Sequence, residues 1–464
     1  MAAVASLREP NTPALTHAAA HFLVTLTGTV RPPSIWKVKE FTDLYSAVPR
    51  AQELRLGGEA HRLTVRALSN VLLLHWPGIP EQKWEERRKH LAKFLRDLTD
   101  GFRGLKADPA FPTERALQAA AEGTIVTSLQ MLGDLVTNVL DEVTHSKKLC
   151  HDVTREYIEL SLWLFPLYVQ SARVCEEMFH FFHIVFDVLA AQMGSEFVER
   201  AVQTFLSLFG HGLGAQVSGQ QLAVVERFLS ILTFFVSQPG PSFRKFVPST
   251  LSLCLEHIFP LVERQDAAEL RAPLYTLLRH TLANNWTYFF KTKMVTSLAQ
   301  LGKEVGEVEV QHREELVAVL RCIGQSFLHS DIAVFSQNVA TLELLNSKWK
   351  LYSKPVFREQ LLAHFLSALL RALVANSHNL LREEVAVAVF HMAATDLRTF
   401  HADFLPQLLA SLDGLDANQR AVLAAAFRPE EDMPSFLASI DRLVTDTRHY
   451  QLVNSSLDQP PVKL

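Results

Sequence analysis

Apolar residues recur along this chain at the spacing of a 3.6-residue turn, and residues 63–105 show the pattern most sharply. Leu63, Val65, Leu68, Val71, Leu72 and Leu74 cover much of one helix's circumference. Trp76-Pro77-Gly78-Ile79-Pro80 then stops that helix, because proline has no N–H for the ladder and restricts the residue before it. A second helix follows, with apolar positions at Trp84, Leu91, Phe94, Leu95, Leu98, Phe102 and Leu105 on one side. Glu85, Glu86, Lys89, Lys93, Arg96, Asp97 and Asp100 fall on the other. The unit is therefore one mostly buried helix, a short turn and one half-wet helix. Such a pair cannot cover its own apolar surface, so stacked neighbours are expected on both sides.

The same alternation of helices and breaks runs from end to end, with almost no period-two strand signal. Asn11-Thr12-Pro13 opens a helix with Leu15, Ala18, Phe22, Leu23 and Leu26. Arg31-Pro32-Pro33 ends it, and Ser34 is expected to cap another carrying Trp36, Val38, Phe41 and Leu44. Beyond the central pair, helices are expected at 113–145 and 147–169, the latter bent at Pro166, then in pairs at 172–213, 219–264, 266–304, 309–350, 355–396 and 397–427. The pairs recur every 40–50 residues or so, the period of HEAT-type repeats. The fold class expected is all-α, an α-solenoid of HEAT-type antiparallel hairpins of about nine pairs over 1–446, with a polar, loosely ordered tail over 447–464. The first helix, Ala14–Thr27, is strongly apolar where a terminal repeat needs a polar outer face. The expectation is a C-terminal part of a longer array.

Composition sharpens this picture. Hydrophobic residues are 48% and charged residues 20%, which excludes overall disorder. Phe at 30 against Tyr at 7 points to interior filling. With 45 basic and 49 acidic residues, the balance argues against nucleic acid as a partner. Cys150, Cys175, Cys254 and Cys322 are far apart with no CxxC, as expected of reduced structural thiols. MAAVASLREPN is not a secretory signal, and the apolar runs near Leu160–Val169 and Phe228–Val236 are too short to span a membrane. A soluble intracellular protein with no membrane partner is expected.

Candidate chemistry is sparse. Glu142–His145, Glu177–His180 and Glu309–His312 are Glu-x-x-His steps of the kind that build di-metal sites in bundles. With 19 histidines in the chain, about two acidic residues at that offset arise by chance, so packed or paired side chains are the simpler reading. Gly210-His211-Gly212-Leu213-Gly214 follows a helix, lacks the GxGxxG spacing and has no Lys-Ser/Thr ending, so it reads as an inter-helix loop. Cys150, beside Lys147, Lys148 and His151, is the one thiol with basic neighbours, and a solvated helix start explains it. No catalytic residue, cofactor or metal centre is expected. The basic run Lys83, Arg87, Arg88, Lys89, His90, Lys93, Arg96 follows Glu81, Glu85 and Glu86 at spacings that allow pairing on a wet face. Arg87, Arg88 and Lys93 are the candidates for gripping a partner. The Phe-rich helices near Phe179–Phe186 and Phe228–Phe235 read as interior, with a partner groove as the other reading.

Several stretches together resemble the importin-β superfamily of nuclear transport receptors, in its export branch. They are Thr29-Val30-Arg31-Pro32-Pro33, Arg66-Ala67-Leu68-Ser69-Asn70 with Trp76-Pro77, the 338–352 stretch with Leu342-Glu343-Leu344-Leu345-Asn346 and Lys348-Trp349-Lys350-Leu351-Tyr352, and the 432–464 end with Val462-Lys463-Leu464. The resemblance implies a non-enzymatic superhelical receptor that binds Ran-GTP, protein cargo (actin with profilin) and nuclear pore proteins, and shuttles between nucleus and cytoplasm. It also implies that the principal Ran surface lies in N-terminal repeats without a counterpart here. The other function class is a helical-repeat scaffold with no transport role.

Overall fold

The computed structural model describes residues 2–8, 12–50, 56–76, 84–212, 219–238, 244–264, 267–291, 309–429 and 432–457. The chain divides into two compact units, Met1–Phe234 and Phe235–Leu464. Both are built of antiparallel helix hairpins of the α-solenoid class.

The first unit holds α1 (Ala2–Arg8), α2 (Pro13–Thr25), α3 (Gly58–Leu73), α4 (Trp84–Leu98), α5 (Arg115–Thr137), α6 (Thr144–Leu164), α7 (Ala172–Met193), α8 (Ser195–Gly212) and most of α9 (Gly219–Ser237). Helices α2, α3, α5 and α7 pack in sequence as one row, and α4 packs on α6 in a second row. Each helix thus meets its hairpin partner and the equivalent helix of the next hairpin, as nearest-neighbour stacking requires. The second unit repeats the scheme. There α10 (Arg271–Asn284), α12 (Ile332–Trp349), α14 (Arg382–Ala393) and α16 (Met433–Leu457) form one row, and α11 (Arg313–Ser326) packs on α13 (Leu362–Ala375). A short helix, α15 (Ala417–Ala426), leads into α16. The only extended pairing among the described residues is antiparallel, Phe290 opposite Val310 and Lys291 opposite Glu309.

Helix ends follow local chemistry. The Asp331 carboxylate accepts from the N–H groups of Ala333 and Val334 at the start of α12, and Asp416 with Gln419 forms a reciprocal capping box at α15. Gly194, at φ 77°, separates α7 from α8 in a backbone region that side chains avoid. Arg31 occupies the left-handed region (φ 51°) where the helix running through Val30 ends. Its guanidinium offsets the strain by donating to the carbonyls of Gly28 (2.7 Å) and His75 (2.8 Å) and to Glu142 (2.5 Å).

That contact belongs to a polar brace across the first unit. Asn70 in α3 donates to Thr27 Oγ1 and accepts from Asn138, Arg66 donates to Asn138, and the Trp76 indole donates to the Asn70 carbonyl. In the second unit Asn338 donates to Ser326, and Glu343 accepts from Tyr352 while facing His391 at 2.6 Å. Arg31, Arg66, Asn70, Trp76, Asn338, Glu343 and Tyr352, all within the stretches that carry the family resemblance, are therefore ties in buried or half-buried positions.

Three expectations need correction. Ser34 caps no regular helix: residues Pro33–Lys37 form a 3-10 turn and only short turns follow at Lys39–Thr42 and Leu44–Ala47. Helix α8 continues through Gly210 to Gly212, so those glycines are helical rather than loop, and Gly214 lies outside the described residues. Nor does the chain loosen at Asp446: α16 runs to Leu457, Thr447 is fully buried, and Arg448 donates to the carbonyls of Val374 and Leu373. Asn454, one of the polar residues that suggested a tail, lies within α16 and donates to the Gly414 carbonyl, whereas Pro460 and Pro461 lie outside the described residues. The turn at Pro77-Gly78-Ile79-Pro80 and the break at Pro239-Gly240-Pro241 lie outside the described residues.

Burial pulls His151 and His183 in the first unit, and His280 and His401 in the second, below the usual imidazole value of 6.5. Below pH 6.5 the unfolded chain takes up protons that these folded histidines resist, so stability falls as pH falls. The urea midpoint should drop between pH 7 and pH 5.5 and recover on return to pH 7. A flat profile across that window would contradict the four half-buried imidazoles.

Candidate functional site

The sequence pointed to the wet side of α4, and the structure sorts its residues into different roles. Arg87 is not on the surface. It is 4% exposed, its Nη2 donates to the carbonyls of Val71 (2.8 Å) and Leu74 (2.6 Å), and its guanidinium lies 4.5 Å over the Trp84 ring. Burial brings its pKa down to about 10, which leaves it charged at neutral pH. Arg87 fastens the C-terminal end of α3 to α4 and is unavailable to a partner. The sequence pattern missed this because a guanidinium on a mixed face reads as solvated unless the carbonyls at the end of the preceding helix are seen. Arg88, one step on, is half-exposed and pairs with Glu85 at 3.2 Å and, more loosely, with Asp152 at 4.0 Å.

Lys93 borders a cleft of about 940 Å³ between α4, the short turns at 39–50 and the segment Asp100–Gly104. Its floor is Tyr45, Leu72 and Phe94, and its rim carries Arg50, His90, Arg96, Asp97, Asp100 and Arg103. Lys93, Arg50, Arg96 and Arg103 outnumber the two carboxylates, so the rim is net positive. Arg103 is held by Glu156 at 3.4 Å, whereas neither Lys93 nor Arg96 has an ion-pair partner among the described residues. The Tyr45 hydroxyl donates to the Leu68 carbonyl at 2.7 Å, and burial raises its pKa far above the ordinary phenol value, so it is a structural group and not an acid. The cleft can hold a carboxylate-bearing surface by charge while its apolar floor takes a side chain. Arg50, from the turn that closes the cleft, was not legible in the sequence, because nothing in the pattern placed that turn beside α4.

In the second unit a groove of about 480 Å³ opens between the segment Pro355–Gln360, α13 and α14. Leu362, Leu366, Met392, Phe400 and Phe404 line it, and an Arg358–Asp396 ion pair at 3.2 Å sits in its wall.

The other candidates do not assemble into chemistry. Glu142 is engaged by Arg31 and the His75 N–H, Glu177 accepts from Gln130 and His145 stacks edge-on against Trp84 at 4.4 Å. These Glu-x-x-His steps converge on no common point, and the side chain of Glu309 lies outside the described residues. Cys150 is fully buried and burial raises its thiol pKa, which removes it as a nucleophile. Cys175, Cys254 and Cys322 are likewise free and buried. No helix of the described residues is long and apolar enough to cross a membrane.

Residues 282–453 match the family described as Exportin-6, C-terminal TPR repeats. The chain is similar to Exportin-6-A of Xenopus laevis, at 40% identity over 452 residues covering 96% of this chain and 40% of that protein. It is similar to human Exportin-6 at 39% identity over the same share of this chain, 96%, and 40% of that protein. Similarity to Exportin-6 of Dictyostelium discoideum stands at 26% identity over 402 residues, 84% of this chain and 36% of that protein. The chain spans about two fifths of the length of these curated relatives.

Proposed function

The chain belongs with the exportin-6 proteins, matching a C-terminal portion of them, and from that premise we propose that it serves as part of a nuclear export receptor. The observation that carries this reading is the identity of 38–40% to the vertebrate proteins sustained over 96% of the chain. It extends well beyond the region matched by the family model, and it sits on a fold built for binding. A stack of HEAT-type hairpins offers long side-chain-lined faces, and small rotations between repeats change its curvature. Ran-GTP and protein cargo, actin with profilin, would each favour the same wound state, so the binding of one strengthens the binding of the other. The receptor is non-enzymatic in this reading and moves between nucleus and cytoplasm.

Within the chain, the cleft edged by Lys93 and Arg96 is where an acidic protein surface would dock, while Arg88, on the same helix, lies outside its lining and is paired with Glu85. The apolar groove beside Phe400 suits a hydrophobic side chain from a nuclear pore protein. Co-precipitation of the full-length protein carrying this chain with actin–profilin, with and without GTP-locked Ran, tests the reading. Capture should depend on the nucleotide. Capture independent of Ran would favour a helical scaffold with no transport role. Lys93→Glu with Arg96→Glu should weaken cargo capture at least about tenfold while the helical spectrum stays intact, since rim charges act on association rather than on folding. Unchanged capture of every partner would remove the cleft from the mechanism.

A further inference from the structure

A second cluster of ligand-type side chains lies on α2 and α3, away from the cleft. His17 and His21 are one turn apart on α2, with ring centroids 4.6 Å apart. Glu59, in the first turn of α3, places Oε1 3.2 Å from His17 Nε2. That Nε2 is buried, and the Glu59 carboxylate 3.2 Å away is the group that faces it. One ligand atom from each of the three residues falls within 4.8 Å of the others. Four-coordinate zinc sets neighbouring ligand atoms roughly 3.4 Å apart, so a small rotation closes the site. The Glu59 side chain, 74% exposed, and the exposed His21 ring are free to make that rotation. Arg62, whose charge reaches Glu59, is turned to Asp134 by a bidentate pair at 3.0 Å, which offsets that charge.

We propose that His17, His21 and Glu59 bind a single first-row divalent cation, of which Zn²⁺ and Co²⁺ suit a two-imidazole, one-carboxylate set. Imidazole nitrogen favours this class over Mg²⁺ or Ca²⁺, which seek oxygen. The ion ties the middle of α2 to the start of α3, and three protein ligands leave a fourth position for water or a partner's donor. The site does not depend on the transport reading.

Titration of the metal-stripped 464-residue chain with CoCl₂ and ZnCl₂ tests it. One Co²⁺ per chain should bind with visible ligand-field absorption, be displaced by Zn²⁺, and raise the thermal midpoint in a way EDTA reverses. His21→Ala and Glu59→Gln should each weaken binding at least about tenfold, because each removes one of three ligands. Both positions are exposed, so circular dichroism should stay unchanged, and the surface control His449→Ala should bind as the parent does. Binding of equal affinity in the His17→Ala/His21→Ala double variant, or no saturable Co²⁺ spectrum in the parent, would overturn the site.

Discussion

Replacing Arg87 by alanine should lower the unfolding free energy by about 3 kcal/mol, while Arg88→Ala next to it should change it by less than about 0.5 kcal/mol. The contrast comes from position alone. Arg87 is 4% exposed and supplies a donor to the carbonyls of Val71 and Leu74, at and just beyond the end of α3, where no intrahelical partner exists. Truncation leaves those carbonyls buried and unmatched and removes the guanidinium from the face of Trp84. Arg88 contributes an exposed i,i+3 pair with Glu85, which solvent screens. Arg87→Lys should recover only part of the loss, since an ammonium can replace Nη2 at the two carbonyls but lacks the planar guanidinium face that rests on Trp84. Urea denaturation of the three variants, followed by far-ultraviolet circular dichroism, measures the difference. Equal midpoints for Arg87→Ala and Arg88→Ala would return Arg87 to the surface.

The same residue marks the limit of what the sequence makes legible. Periodicity located α3 and α4 closely, because their apolar positions are dense and their breaks are strong. Leu91, Phe94, Leu95 and Phe102 are all buried, as their spacing requires. Failures came where tertiary contacts override a local pattern. The Ser34 segment has apolar residues at helical intervals, yet the backbone turns extended at Val38, and it settles as a 3-10 turn followed by short helical turns. At the other end, the polar residues after Asp446 read as loose chain, but α16 continues because Arg448 finds the C-terminal carbonyls of α13. Arg31, Asn70 and Asn138 are distant in sequence, and their shared brace becomes visible only when α2, α3 and α5 stand side by side. The cleft has the same character. Lys93 and Arg96 were visible as one helix face, whereas Arg50 joins them from a turn whose placement no periodicity encodes. The cluster of His17, His21 and Glu59 spans α2 and α3 and carries no contiguous motif.

Phe179→Ala should cost about 4 kcal/mol, the upper range for emptying a packed aromatic site. Phe165, Phe179, Phe182, Phe205 and Phe228 are fully buried and come from different parts of the stack: the turn just after α6, then α7, α8 and α9. The Phe179 ring lies 5.2 Å from Phe165, 5.3 Å from Phe205 and 5.1 Å from Phe228, in tilted, edge-on and stacked arrangements respectively. Such pairs add to the transfer energy of the ring, and helices fixed on several sides cannot collapse into the void. Phe179→Leu should recover much of the loss by keeping apolar volume, whereas Phe22→Ala on α2, where the ring is 57% exposed, should be nearly silent. The series separates two roles for the phenylalanine-rich helices. An interior role demands a large drop in unfolding free energy for Phe179→Ala, and cargo capture unaltered wherever the variant remains folded. A partner groove demands the reverse, lost capture at unchanged stability. With the ring fully buried against Phe165, Phe205 and Phe228 of its own unit, the expected outcome is the first, and chemical denaturation alongside co-precipitation of the same variants decides it.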